Sequence, residues 1–144
     1  MRIADTALEM DALDVAREGY AAFNRGDIAW IVDHLSPDIV WEDAKEVPGS
    51  AVRVGVDQVE RYLQSLHREW DEIRFEPERI SPAGDDVLAW ARVIARGRAS
   101  GVEVDAPVAH LFEIRGDRCC RVRTFFDRAE ADASARRAPQ DSGS

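Results

Sequence analysis

Apolar residues recur at helical spacing three times in the first half of the chain. The first helix is predicted by four such positions: Leu13, Ala16, Tyr20 and Phe23. Gly26 should end it, and a short second helix should end before Pro37, because proline disfavours helical backbone in the preceding residue. The third helix begins near Asp57 and presents one apolar stripe: Val59, Tyr62, Leu63, Leu66 and Trp70. The pattern therefore predicts three N-terminal helices.

A strand that begins at Asp38 is predicted between the second and third helices. Because side chains alternate across a strand, Trp41 and Asp43 point to the same side. A loop over residues 47–55 follows, with Pro48-Gly49 as its turn. A carboxylate on the same face as a large aromatic ring is a candidate group for a ligand pocket.

After residue 71 the pattern changes to strands separated by turn signals. The predicted strands span residues 72–81, 86–98, 102–114 and 118–127, and tight turns join the last three into a bent antiparallel meander. Alternation places these sets on shared faces: Leu88, Trp90, Arg92 and Ile94; Val108, His110, Phe112 and Ile114; Cys120, Val122, Thr124 and Phe126. Both faces of segment 86–96 are largely apolar, so we expect another subunit to cover one of them, as in a homodimer through the sheet.

Length and charge narrow the functional classes. The 144-residue chain predicts one domain over residues 1–130, whereas residues 131–144 lose the apolar pattern and are predicted to be a disordered tail. The net charge of −9 argues against partners such as nucleic acid or an anionic membrane surface. No apolar run reaches the roughly 18 residues of a membrane span. The acidic N-terminus is unlike a signal peptide, so we predict a cytoplasmic protein.

Motifs for metal, phosphate or a serine nucleophile are missing from the sequence, so we expect no cofactor. Cys119 and Cys120 are adjacent, and neighbouring residues on a strand point to opposite faces. The two thiols are therefore poorly placed to bridge each other, and we assign both to packing.

Five segments together resemble a known family: Tyr20–Asp27, Leu35–Asp43, Gly55–Val59, Ala109–Phe112 and Phe125–Glu130. They are similar to the SnoaL-like group of the nuclear transport factor 2-like, or ketosteroid isomerase-like, fold. The resemblance implies an α+β cone in which three N-terminal helices pack on a strongly curved, mainly antiparallel sheet around an apolar small-molecule pocket. Dimers are common in such proteins. The fold hosts isomerases, cyclases, dehydratases, epoxide hydrolases and binding proteins, so it does not specify a function by itself.

The strongest single likeness concerns Asp43. The segment from Glu42 to Ser50 resembles the one that carries the proton-shuttling Asp of ketosteroid isomerases, and the resemblance puts Asp43 at the base position. The other groups of those enzymes do not match. His110, or Ala109 in an alignment shifted by one residue, stands where their late-strand acid would be, and Tyr20 is one residue out of register with their helix-one Tyr. The resemblance therefore does not support steroid isomerisation.

Two other enzyme types of this fold match only in part. The Asp-Arg-Asp relay of limonene-epoxide hydrolase-like proteins keeps Arg92, but Ile94 and Thr124 stand where its carboxylates would be. SnoaL-type polyketide cyclases use a last-strand Asp with a His on the sheet. His110 fits the second role, whereas Asp127 comes late in the strand.

Two residues are candidate catalytic groups. Asp43 would act as a general base beside a carbonyl, or else be a strand-end carboxylate paired with Arg92 or an adjacent loop. His110 would donate to a ligand oxygen or shuttle a proton, or else be a hydrogen-bonded core histidine. Arg92 would orient a ligand or neutralise Asp43. The other ligand-binding candidates serve as cavity wall or core: Tyr20, Trp41, Tyr62, Trp90, Phe112, Thr124 and Phe126.

Two functional hypotheses stay open at this point. The first is a cofactor-free isomerase, cyclase or dehydratase that moves a proton on a small, apolar, carbonyl-bearing substrate. The second is a non-catalytic module that binds a small apolar molecule or serves in dimerisation. The position of Asp43 relative to His110, and the partner of its carboxylate, would distinguish them.

Overall fold

The computed structural model describes residues 10–143, with side chains described over 10–136. Its helices are α1 (Ala12–Asn24), α2 (Ile28–Asp33), α3 (Val56–Glu69) and α4 (Arg128–Gly143). Its strands are β1 (Leu35–Glu42), β2 (Val52–Val54), β3 (Trp70–Ala83), β4 (Asp86–Gly97), β5 (Glu103–Arg115) and β6 (Arg118–Phe125). The predicted α+β fold is confirmed, with a fourth helix added after the sheet.

Side-chain caps set the ends of the first two helices. The Asp11 carboxylate accepts the Asp14 N–H at 2.8 Å at the start of α1, and the Asp27 carboxylate accepts the Trp30 N–H at 3.1 Å at the start of α2. Between them Gly26 has a φ of 79°, a conformation that costs glycine little. The predicted break between the two helices therefore has a direct backbone cause.

The six strands form one sheet in the order β2-β1-β6-β5-β4-β3. Within residues 10–143 the β1–β6 pair alone is parallel, which makes the sheet mainly antiparallel. One face of the sheet carries the three N-terminal helices, and the main core lies between them. Its largest fully buried members include Ile39, Val59, Leu63, Val87 and Val122. We call this face inner and the opposite face outer.

Three details of the sheet differ from the sequence prediction. β1 begins at Leu35, three residues before the predicted strand and within the segment predicted to end the second helix. The predicted loop 47–55 contains β2, which pairs with β1 so that Trp41 lies opposite Arg53. The face predicted for Cys120 is wrong, because the β5–β6 register shifts between Glu113 and Ile114 and pairs Ile114 with Cys119. A bulge of this kind interrupts the strict alternation that the prediction assumed.

The prediction of a disordered tail is wrong over residues 131–136. Asp127 accepts the N–H groups of Ala129 and Glu130 and so starts α4. Ala131 and Ala135 are buried against the outer face, in a cluster with Leu88, Ala109 and Leu111. Alanines four residues apart lie on one side of a helix and let it approach a sheet closely, but they give little hydrophobic signal.

The outer face of β4 is therefore covered in part by the chain itself. The sequence predicted that another subunit covers this face, but α4 of the same chain covers part of it. A homodimer through the remaining outer face stays a prediction. The cytoplasmic location also stays a prediction. Over residues 10–143, none of the helices is long and apolar enough to cross a membrane.

Candidate functional site

A cavity of about 290 Å³ lies between the N-terminal helices and the inner face of the sheet. This is close to the lower end of small-molecule pockets, which measure about 300–1,000 Å³. Its lining is mainly aliphatic and aromatic, with Asp43 as its sole charged member among Asp, Glu, Lys and Arg in the described part of the chain. Eight of the ten predicted site residues line it: Tyr20, Trp41, Asp43, Tyr62, His110, Phe112, Thr124 and Phe126.

The deepest polar group is a pair formed by Tyr20 on α1 and His110 on β5. The Tyr20 hydroxyl lies 2.8 Å from His110 Nδ1, and both residues are 6% exposed. Phe75 and Phe112 pack around the pair, with ring centroids 5.4 and 5.8 Å from the imidazole. The strand register puts His110 opposite Thr124 and Ala89, which aims its side chain at the helices.

Burial keeps this pair uncharged. It lowers the pKa of His110 from 6.5 to about 4 and raises the pKa of Tyr20 far above its usual range. At neutral pH the pair is thus a phenol and a neutral imidazole. One of them donates across the 2.8 Å contact, and which one does so depends on the imidazole tautomer.

The second nitrogen of His110 remains available. Nε2 has no hydrogen-bond partner within residues 10–136, and Arg123 Nε is the sole fully buried side-chain nitrogen or oxygen there without one. Nε2 is therefore accessible, and His110 lines the cavity. In one tautomer it carries the proton and donates, and in the other it accepts, so the pair can meet either a carbonyl or a hydroxyl group.

Asp43 lies directly after β1 and is ion-paired. Its Oδ2 accepts from Arg53 Nη1 at 2.9 Å and from the Ala51 N–H at 3.1 Å. The Asp43 side chain is 9% exposed and that of Arg53 is 23% exposed. The sequence left a choice between Arg92 and an adjacent loop as partner, and the structure gives Arg53 on β2.

Tyr62 of α3 completes this second polar group. The Arg53 guanidinium lies over its ring, 3.7 Å from the centroid, and Trp41 meets the same ring edge-on at 6.2 Å. Burial, followed by the negative charge of Asp43, raises the pKa of Tyr62 to about 12. The phenol therefore stays protonated at neutral pH beside the carboxylate.

Two predicted site residues do not reach the cavity. Trp90 and Arg92 lie on the outer face, because β4 points Ala89, Ala91 and Val93 inward. Arg92 pairs with Asp105 at 2.7 Å, and Trp90 lies beneath the Arg128 guanidinium at 4.9 Å. Either face of β4 is apolar enough to pack against the core. The sequence pattern therefore did not show which face points inward.

The sequence pattern did not indicate several residues of the site, and three of these carry polar or thiol groups: Arg53, His34 and Cys119. Arg53 was assigned to a loop, although its place between two valines fits an edge strand. His34 lines the cavity next to the helix end, with Nδ1 donating to the Trp30 carbonyl at 2.8 Å and its ring stacked on Trp30. Cys119 also lines the cavity, and burial holds its thiol pKa near 12, so it acts as an apolar group.

The described residues contain no cluster of three His, Cys, Asp or Glu side chains with metal-binding geometry. The chemistry available to the cavity is therefore hydrogen bonding by the Tyr20–His110 pair and by Tyr62, acceptance by Asp43, and contact with aromatic walls.

Comparison with solved structures shows the same fold. A nuclear transport factor 2-like protein from Burkholderia thailandensis E264 is 24% identical, with a TM-score of 0.74 over 88% of this chain and 97% of that one. A putative polyketide cyclase from Pseudomonas putida KT2440 is 19% identical, with a TM-score of 0.70 over 83% and 94%. A protein with a ketosteroid isomerase-like fold from Catenulispora acidiphila DSM 44928 is 15% identical, with a TM-score of 0.71 over 85% and 92%.

Sequence comparison supplies the family. No curated protein matches the chain. The SnoaL-like domain family matches residues 16–122, which hold α1 apart from its first turn, α2, α3, all six strands but the end of β6, and most of the cavity lining. The chain therefore belongs to the SnoaL-like domain family.

Proposed function

We propose that this protein binds a small, uncharged, mostly apolar molecule that carries one carbonyl or hydroxyl group. The observation that supports it is the buried Tyr20–His110 pair in the wall of an aromatic cavity. A buried polar group is costly unless it is hydrogen-bonded. The pair satisfies Nδ1 internally and leaves Nε2 for a ligand oxygen.

The electrostatics of the cavity support an uncharged ligand. Tyr20 and His110 are neutral at pH 7, and the charge of Asp43 is already balanced by Arg53. An ionic ligand would lose its hydration on entering this site without finding a free counter-charge. A neutral ligand loses little and gains contact with rings such as Phe75, Phe112 and Trp41.

The test compares 2-naphthol with naphthalene, which differ by one hydroxyl group. Isothermal titration calorimetry should show that the protein binds 2-naphthol about tenfold more tightly, since one net hydrogen bond contributes about 1–1.5 kcal/mol. The double variant Tyr20→Phe/His110→Leu should lose this preference, because it keeps the apolar volume and removes both polar atoms of the pair.

The matched control is Arg92→Gln, which breaks an ion pair on the outer face and should keep the preference. Failure of the wild-type protein to bind either molecule would contradict the proposal. So would an unchanged preference for 2-naphthol in the double variant Tyr20→Phe/His110→Leu.

A second candidate function is proton transfer next to a carbonyl. It is favoured because Asp43 and His110 line the same cavity, and a fold relative is described as a putative polyketide cyclase. Asp43 would take the proton while the His110 side polarises the carbonyl. The Arg53 ion pair opposes it, because the carboxylate is already engaged.

Hydrogen–deuterium exchange of 1-indanone tests this candidate without knowledge of the substrate. Proton NMR in D2O would report loss of the hydrogens next to the carbonyl. Exchange above the buffer rate that disappears in Asp43→Asn would support an isomerase, cyclase or dehydratase. Exchange equal to the buffer rate would favour the binding function alone.

A further inference from the structure

The segment between β1 and β2 forms one part of the cavity wall. We call residues 44–50 the flap. Ala44 and Val47 line the cavity, and Ala44 is only 1% exposed. The residues between and beyond them are exposed: Lys45, Glu46, Pro48, Gly49 and Ser50. The flap is thus a wall one chain thick, in which Ala44 and Val47 face the cavity and the other five residues face water.

Hydrogen bonds between residues close in sequence join the two ends of the flap and stabilise its turns. Its base is held by the Asp43 N–H, which donates to the Ala51 carbonyl at 3.1 Å, and by the Ala51 N–H, which donates to the Asp43 carboxylate at 3.1 Å. Inside the flap, Val47 N–H donates to Ala44 and Ser50 N–H donates to Val47. The Asp43 side chain therefore joins the two ends of the flap.

Arg53 strengthens this junction from outside the cavity. It pairs with Asp43 at 2.9 Å and packs on the Tyr62 ring of α3, but it is not part of the cavity lining. The ion pair thus connects β1, β2 and α3 at the base of the flap. The one other ion pair of the flap within residues 10–136, Lys45–Glu130, is far more exposed and holds it less firmly.

We propose that the Asp43–Arg53 ion pair holds the flap closed, and that Asp43 is a positioning residue controlling ligand access. This inference rests on the proposed binding function, since it assumes that a ligand passes the flap. It gives Asp43 a role different from that of a general base. The carboxylate would be required for the rate of ligand exchange and not for a chemical step.

The kinetic test uses 2-naphthol and stopped-flow fluorescence. Asp43→Asn removes the ion pair and should raise both the association and the dissociation rate constants about fivefold, the upper range for a partly exposed ion pair. Arg53→Met, whose side chain is outside the cavity lining, should raise both rate constants equally and leave the dissociation constant nearly unchanged, because an opened flap speeds passage in both directions. The double variant should add nothing further.

Arg92→Gln is the matched control, because it also breaks one ion pair near 2.7 Å, on the outer face. Its rate constants should equal those of the wild type. A weaker affinity in Asp43→Asn with an unchanged association rate would overturn the proposal, because it would make Asp43 a ligand contact. Rates equal to the wild type in Asp43→Asn would overturn it as well.

A ligand-free measurement separates this proposal from the binding function. Amide hydrogen exchange at Asp43 and Ala51 reports opening of the flap base, and the Gly55 N–H, bonded to Ile39, is an internal reference outside it. Asp43→Asn should speed exchange at the flap base and leave Gly55 unchanged. If 2-naphthol does not bind but exchange behaves this way, the binding function fails and the flap stands. Unchanged exchange overturns the flap.

Discussion

The two polar pairs of the cavity wall differ in charge and in depth. Tyr20–His110 is neutral, and both of its residues are almost fully buried. Asp43–Arg53 is charged, and its cation is reached by water. Removing an ion from water costs several kcal/mol, so a charge is tolerated where a partner and solvent are both near. Burying a neutral hydrogen-bonded pair costs less free energy, so such a pair can lie deep in the cavity, away from water.

The two pairs also differ in the chain segments that build them. Tyr20 and His110 are 90 residues apart and meet only when α1 packs on β5. Asp43 and Arg53 are 10 residues apart and meet through the local pairing of β1 with β2. The deep pair depends on the whole fold and suits a binding site, whereas the local pair suits control of the loop it encloses.

The largest expected difference between the pairs is in pH dependence. Burial lowers the pKa of His110 to about 4 in the fold, against 6.5 when exposed. Between these values the unfolded chain binds a proton that the folded chain does not, so stability falls as the pH drops from 6.5 to 4. The free energy of unfolding should lose about 3 kcal/mol over this window from His110 alone. Urea denaturation at a series of pH values measures it.

His110→Gln is the control for the pH series, because glutamine can bond Tyr20 but does not titrate in this range. The difference in unfolding free energy between wild type and variant should change between pH 4 and 6.5 and stay constant above pH 6.5. Parallel curves for wild type and variant would show that His110 is not held neutral by burial.

A smaller effect is expected when the deep pair is broken. Tyr20→Phe leaves Nδ1 of His110 without its partner and should lower the free energy of unfolding by about 2 kcal/mol. The double variant with His110→Leu should recover at least half of this loss, because it removes both polar partners. Urea denaturation of the wild type, the two single variants and the double variant forms a double-mutant cycle. Additive losses would contradict a coupled pair.

The smallest effect is expected at the charged pair. Asp43→Asn should lower the free energy of unfolding by about 1 kcal/mol, since its side chains are better shielded than those of a surface ion pair. Arg92→Gln breaks a more exposed ion pair and should leave stability unchanged in thermal and urea denaturation. If both variants lost the same free energy of unfolding, the lower exposure of the Asp43–Arg53 ion pair would not make it more stabilising than the Arg92–Asp105 pair.

Much of the fold follows from local sequence patterns. The apolar stripe of the third helix, the turn at Gly26 and the alternation of β5 each depend on neighbouring residues. The face shared by Val108, His110, Phe112 and Ile114 was predicted from alternation, and all four line the cavity. Side chains alternate along a regular strand, so one residue known to point inward determines which of the others do.

The errors arose where two arrangements satisfy the same pattern. Both faces of β4 are apolar, so the sequence did not tell whether Arg92 or Val93 points inward. The bulge beside Ile114 moved Cys119, not Cys120, to the cavity side. The alanines of α4 carry too little apolar area to indicate a buried helix before the sheet beneath them is known.

The sequence by itself determined most of the elements, though not β2 or α4, together with the family and the presence of an acid and a histidine suited to a cavity. The tertiary structure decided their partners. Tyr20 bonds His110, and Arg53 engages Asp43, because helix packing and strand pairing bring those side chains within hydrogen-bonding distance. Periodicity specifies which way a side chain points along its own element, but the contact across elements depends on register and packing, which no local pattern contains.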